Sequence, residues 1–130
     1  MSYLVDTDVV ANWLKGHQDD VALLRSLSSQ VLAISLITYG ELYDGIYYGH
    51  NPQTNERNFL QFLRWVDVLA LNRTMMKQFA RIRGYLRQSG QIIPDADILI
   101  AATALYHDLG LVTHNTRHFS RIPNLKLYSN

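Results

Sequence analysis

The fold class predicted by this 130-residue chain is α/β, a three-layer α/β/α sandwich around a mainly parallel sheet. Three observations predict it. Short apolar runs alternate with segments of helical periodicity along the chain. Helical segments separate the runs, so the connections are right-handed crossovers that leave the strands parallel and put helices on both faces. Asp6 and Asn115 each fall just after a predicted strand, on the carboxyl edge where such sheets build their sites.

The elements follow in order. Residues 2–5 read as a buried strand ending at Asp6-Thr7-Asp8, and Asp8 is placed to cap a first helix over residues 9–14. Asp19 and Asp20 open another helix, with Val21, Leu24 and Leu27 at helical spacing. Residues 31–35 form a second strand. A helix over residues 38–48 stops at Gly49. Asn51-Pro52 turns the chain and starts a helix carrying Phe59, Leu60, Phe62 and Leu63. Residues 66–71 form a third strand. Asn72 or Thr74 begins a long helix that ends before Gly90. Asp95 and Asp97 start the next, to about His107. Residues 111–113 form a short strand, and residues 126–128 an edge strand.

Composition narrows the class of protein. With 48% hydrophobic residues, no repeat and no linker, residues 1–130 are expected to form one domain. Zero cysteines exclude disulfides and thiolate-bound metals. The first residues lack a basic segment followed by a long apolar stretch. The apolar run at 98–106 is interrupted by Thr103 and is too short to span a bilayer. A soluble cytoplasmic protein with no membrane contact is therefore expected. Residues 1–65 carry seven acids and four bases, whereas residues 66–130 carry four acids and eight bases. An acidic site beside a basic surface suits an enzyme acting on a polyanion.

Three acids stand out by their surroundings. Asp6 ends an apolar run, Glu41 sits within the apolar helical pattern of residues 36–48, and Asp97 opens another apolar helix. Carboxylates are seldom set among apolar residues unless paired or bound to a metal. A cluster of Asp6, Glu41 and Asp97 would attract a hard cation such as Mg²⁺ or Mn²⁺, and Asn115 would orient a water through its amide. Each residue also has a plainer reading. Asp6 can cap a helix, Glu41 can pair with a buried Arg, and Asp95 and Asp97 can be ordinary first-turn acids favoured by the helix dipole. At about 100° per residue, Arg73, Lys77, Arg81, Arg83 and Arg87 fall within an arc of roughly 160°, with Met75, Phe79, Ile82 and Leu86 opposite. That face is either a solvated surface or a ridge that contacts phosphates. His114 and His118 stand four apart, as paired zinc ligands do, but no Glu follows His114 and the segment reads as a short turn. Neither a Gly-x-Ser-x-Gly elbow nor a Gly-rich phosphate loop occurs.

Four segments in order carry a resemblance. They are Leu4-Val5-Asp6-Thr7-Asp8, Ser35-Leu36-Ile37-Thr38-Tyr39-Gly40-Glu41-Leu42, Asp97-Ile98-Leu99-Ile100-Ala101-Ala102-Thr103-Ala104, and Val112-Thr113-His114-Asn115-Thr116-Arg117-His118-Phe119. Together they resemble the PIN-domain family, specifically the VapC-type toxins of prokaryotic toxin–antitoxin pairs. The resemblance implies a PIN-like fold and a Mg²⁺- or Mn²⁺-dependent endoribonuclease. It assigns the metal-binding acids to Asp6, Glu41 and Asp97. The fourth family position, often Asp, is Asn115 here, a loss of one charge that Asp95 would offset if it turned inward. Ser35, Thr38 and Thr113 match positions whose hydroxyls support the acids. The resemblance also implies a homodimer and a VapB-like antitoxin that sends a basic side chain into the acidic pocket. Two other readings remain at this point. Asp6-Thr7-Asp8-Val9 resembles the opening of haloacid-dehalogenase-type phosphatases, with Asp6 as nucleophile. Alternatively, the acids only receive a partner's Arg in a non-catalytic interaction module.

Overall fold

Side-chain alternation along the strands decides which helices cover which face of the sheet. The computed structural model describes residues 2–129. Its elements are β1 (Ser2–Val5), α1 (Thr7–Leu14), α2 (Gln18–Ser26), β2 (Val31–Ser35), α3 (Leu36–Tyr48), α4 (Pro52–Phe62), β3 (Asp67–Leu69), α5 (Arg73–Gln88), α6 (Asp95–Tyr106), β4 (Gly110–Val112) and α7 (Thr116–Phe119). Val5, Leu32, Ile34 and Val112 point to one face and pack against Val9, Leu24, Leu42, Ile46, Phe59 and Phe62. Leu4, Ala33 and Leu111 point to the other and pack against Ile82, Leu86, Ile98, Ala101 and Phe119. Helices α1 to α4 thus form one outer layer and α5 to α7 the second, the expected α/β/α arrangement.

The sheet order is β3-β2-β1-β4, and every pairing is parallel. The chain winds outward from β1 to β2 and β3, then returns to place β4 on the other side of β1. That reversal opens a crevice between the carboxyl ends of β1 and β4. The ladder runs to its end there, since Asp6 N–H donates to Val112 O at 2.9 Å.

Several boundaries differ from the sequence expectation, each for a local reason. Asp6, not Asp8, caps α1; its carboxylate accepts from Thr7 N–H at 2.8 Å, and Asp8 falls in the first turn. α3 begins at Leu36 because Ser35 caps it, accepting from Thr38 N–H at 3.0 Å. Asn72 caps α5 through Met75 N–H at 2.9 Å, which settles that start. Gly49 ends α3 as expected, and a Cβ there would lie 2.5 Å from Gly45 O. The third strand shrinks to Asp67–Leu69, an edge strand whose Asp67 and Val68 are exposed. Residues 126–128 add one bridge, Leu111 to Leu127, rather than a strand. Among the described residues no helix is long and apolar enough to cross a membrane.

Candidate functional site

Asp6 stands at the centre of the crevice because β1 ends one residue before it and α1 starts one residue after. The residue is only 5% exposed. Its Oδ1 accepts from Thr7 N–H at 2.8 Å and its Oδ2 from the Thr113 hydroxyl at 2.6 Å, so its orientation is fixed from both strand ends. Burial pushes the Asp6 carboxyl up to about 7; the Thr113 hydrogen bond opposes this, and the charges of Asp8 and Asp97 add to it. Asp97 is therefore close enough to be felt from the first turn of α6, across the crevice.

Glu41 reaches the same edge from α3 through a relay of hydroxyls. Thr7 Oγ1 lies 2.6 Å from Glu41 Oε1 and 3.0 Å from Thr38 Oγ1. A carboxylate can only accept, so Thr7 gives Glu41 its single hydroxyl hydrogen and takes that of Thr38. Ser35 Oγ, 3.2 Å from Thr38 Oγ1, then donates to Thr38 in turn. Ser35 and Thr38 are fully buried and act on Glu41 through Thr7 rather than directly. Thr113 touches Asp6 itself and also accepts from Asn115 N–H at 2.9 Å.

Asp97 is tied in by an imidazole that the sequence reading undervalued. His118 Nδ1 lies 2.8 Å from Asp97 Oδ2 and 2.8 Å from the side-chain nitrogen of Asn115. A carboxylate only accepts, so Nδ1 carries its hydrogen and donates to Asp97, and the Asn115 amide can meet that N–H only with its oxygen turned toward the ring. His114 turns elsewhere, to Asp20 at 2.5 Å, so the two histidines do not form a zinc pair. Asp95 does not turn inward to offset Asn115; it pairs with Arg83 on the surface at 2.9 Å. Arg73, Lys77, Arg81, Arg83 and Arg87 are all exposed along α5, whose buried face is Met75, Ile82 and Leu86.

Asp8 is the acid that spacing did not single out. Its Oδ2 accepts from His114 N–H at 3.2 Å, while its Oδ1 is buried without a hydrogen-bond partner. Burial raises its carboxyl, and the His114 N–H and imidazole oppose the rise. The Asp-x-Asp spacing was the available signal, since residues 6 and 8 flank the start of one helix turn. No group of three or more acidic or imidazole side chains among the described residues is gathered tightly enough to hold a metal alone. The donors nonetheless suit a hard cation: they are carboxylate and amide oxygens without sulfur, they repel one another, and one buried oxygen lacks a partner. Mg²⁺ keeps several water and phosphate ligands, so a few protein carboxylates are enough for it.

The PIN domain family profile matches residues 3–125. Ribonuclease VapC2 of Rickettsia felis is 30% identical over 131 residues, covering 98% of this chain and 96% of that protein. The tRNA(fMet)-specific endonuclease VapC of Shigella flexneri is 27% identical over 126 residues, covering 97% and 96%. Among solved structures, VapBC2 from Rickettsia felis bound to a DNA fragment from its promoter gives a TM-score of 0.91 at 29% identity, with 98% of each chain covered. VapBC-1 from nontypeable Haemophilus influenzae gives 0.87 at 29% identity, with 99% of this chain and 98% of that one covered. The order of strands, the acids on their carboxyl edge and a match over nearly the whole length agree: this chain belongs to the PIN-domain family, among its VapC proteins.

Proposed function

We propose that this protein is a divalent-metal-dependent endoribonuclease that hydrolyses RNA phosphodiester bonds, working as the toxin of a toxin–antitoxin pair. The observation that carries the reading is the continuous set of contacts that holds Asp6, Glu41 and Asp97 on one sheet edge. The VapC names of the relatives support the ribonuclease activity, and the VapBC assemblies among its structural neighbours support a VapB-like antitoxin partner. A homodimer is proposed on the family resemblance.

Asp6, Glu41 and Asp97 are the residues that would hold Mg²⁺ or Mn²⁺. Bound there, the cation supplies a nucleophilic water at neutral pH and neutralises charge on the phosphate. The chain's own groups do the rest. Thr7 N–H and the Thr113 hydroxyl each hold one oxygen of Asp6, which restrains its carboxylate. Thr7, backed by Thr38 and Ser35, does the same for Glu41. His118 restrains Asp97 and orients the Asn115 amide, whose role is to position the attacking water. Water attacks phosphorus, the bond to the leaving oxygen breaks, and that oxygen takes up a proton. The exposed bases of α5 give RNA phosphates a path of favourable potential.

The test is direct. Purified, antitoxin-free protein is incubated with RNA and Mg²⁺ or Mn²⁺, with Asp6→Ala as the matched control. Cleavage by the wild type alone supports the reading; equal absence of cleavage in both ends it. The family match over residues 3–125 favours this over a phospho-aspartate mechanism at Asp6.

A further inference from the structure

A polar cavity of about 550 Å³ opens beside the acid edge, lined by Asn12, His17, Gln18, Asp19, Asp20 and His114. Every lining side chain carries hydrogen-bonding atoms. The cavity joins the acid edge through one residue: His114 belongs to its wall, while its backbone N–H donates to Asp8 Oδ2 at 3.2 Å. The wall is fixed in place. Asp20 is 3% exposed and holds the half-exposed His114 ring through Nε2 at 2.5 Å. Gly16, at φ +78°, turns the chain sharply from α1 into α2, a conformation that favours glycine. α2 then starts at the cavity with His17 as N-cap and no side-chain cap on its first-turn amides.

The chemistry of this wall is wrong for a phosphate and right for a base edge. Two carboxylates repel an anion. Asp20 is already occupied by His114, which leaves Asp19 as an exposed acceptor. Amide side chains of Asn12 and Gln18 and the α2 amides supply donors next to it. Unstacked RNA bases are read in this way, on their Watson–Crick edge, with a ring such as imidazole for stacking. Resting on the ribonuclease reading of the adjacent edge, we propose that this cavity binds one unstacked RNA base next to the cleaved bond, with guanine preferred. Guanine alone offers two adjacent N–H donors, N1–H and the N2 amino group, that match both oxygens of one carboxylate, and its O6 accepts from an amide. Cytosine and adenine present a single amino donor beside an acceptor. Uracil flanks its N–H with two carbonyls that a carboxylate repels.

Short fluorescent RNAs carrying guanine or inosine at one position test this, because inosine lacks only the N2 amino group. Binding is measured by anisotropy to Asp6→Asn protein, so that cleavage does not intervene. The guanine RNA is expected to bind about tenfold more tightly, and adding Asp19→Ala is expected to erase that difference. Equal affinity for the two RNAs, or a guanine preference that survives Asp19→Ala, overturns the proposal. Mapping wild-type cleavage sites separates the two readings. Cleavage with no base preference beside the cut removes the base subsite and leaves the nuclease. Guanine discrimination without any cleavage removes the nuclease and leaves the subsite.

Discussion

On the carboxyl edge of the sheet, each candidate acid is held by a defined donor: Thr7 and Thr113 for Asp6, Thr7 for Glu41, His118 for Asp97. On the outer face of α5 the bases are exposed, and Arg83 alone of the five forms an ion pair among the described residues. The first region works by position, where a shift of one side chain breaks the geometry. The second works by summed potential, where any one charge is replaceable. If that contrast is right, substitutions on the edge change the chemical step by orders of magnitude with little salt dependence. Substitutions on α5 change RNA affinity mildly and alter its response to salt.

The largest effect is expected at Asp6. Asp6→Asn keeps the size and capping ability of the side chain but removes the charge at the centre of the site, and kcat for RNA cleavage is expected to fall by about 10³-fold or more. The same variant should be more stable at neutral pH without divalent cation. The Asp6 carboxyl is raised by burial to about 7 in the fold, above its value in an unfolded chain. Its contribution to stability is fully present below about pH 4 and is lost as pH rises through about 7. Thermal unfolding at pH 4 and pH 8 should therefore show wild type and Asp6→Asn diverging as pH rises, by on the order of 2–4 kcal/mol at the upper end. Added Mg²⁺ should narrow that gap by stabilising the wild type. Parallel curves at all pH values would mean that Asp6 is not strained by its burial.

The next effect belongs to the hydroxyls behind the acids. Thr113→Val preserves shape and removes one donor to Asp6, the 2.6 Å bond that joins β4 to the site. Cleavage is expected to drop about 10- to 100-fold, as for other groups that orient metal ligands. The Mg²⁺ concentration needed for half-maximal rate should rise. A fall in rate at unchanged metal requirement would assign Thr113 to folding rather than to orienting the carboxylate.

Much of this was legible from the chain. The short continuous apolar runs at residues 2–5 and 31–35 marked the central strands, and the helical segments between them required parallel pairing. Asp6, Glu41 and Asp97 were visible as charges in apolar settings. What escaped were contacts that depend on how the chain closes in space. Asp20 looks like a first-turn helix acid, yet it is buried against His114, 94 residues away in sequence. His118 shares i, i+4 spacing with His114, yet each ring takes a different acid, because His114 precedes α7 and only His118 lies on it, so the two share no helix face. Asp95 and Asp97 are equivalent by sequence. They diverge because Asp97 lies over the crevice while Asp95 faces Arg83 on the surface. A period locates a face, but it does not tell which neighbour that face meets.

The smallest effect tests the α5 side of the comparison. Arg73, Lys77 and Arg81 lie along one side of the helix, and their heads are in solvent. A triple Ala variant removes three charges without opening the core, since Met75, Ile82 and Leu86 form the buried face. RNA binding at low salt should weaken by about 3- to 30-fold. The slope of log affinity against log salt should flatten by up to about 2, because each phosphate neutralised on a single strand contributes roughly 0.7. Maximal cleavage at saturating RNA should stay within about threefold of the wild type. Arg83→Ala makes an internal control. Its pairing with Asp95 is half exposed, and such a pair contributes little to stability. Removing it also releases the charge of Asp95 near the start of α6, so its salt slope should change less than that of an unpaired base. A slope that does not move in the triple variant would show that RNA crosses the acid edge by another route, with α5 only a solvated face.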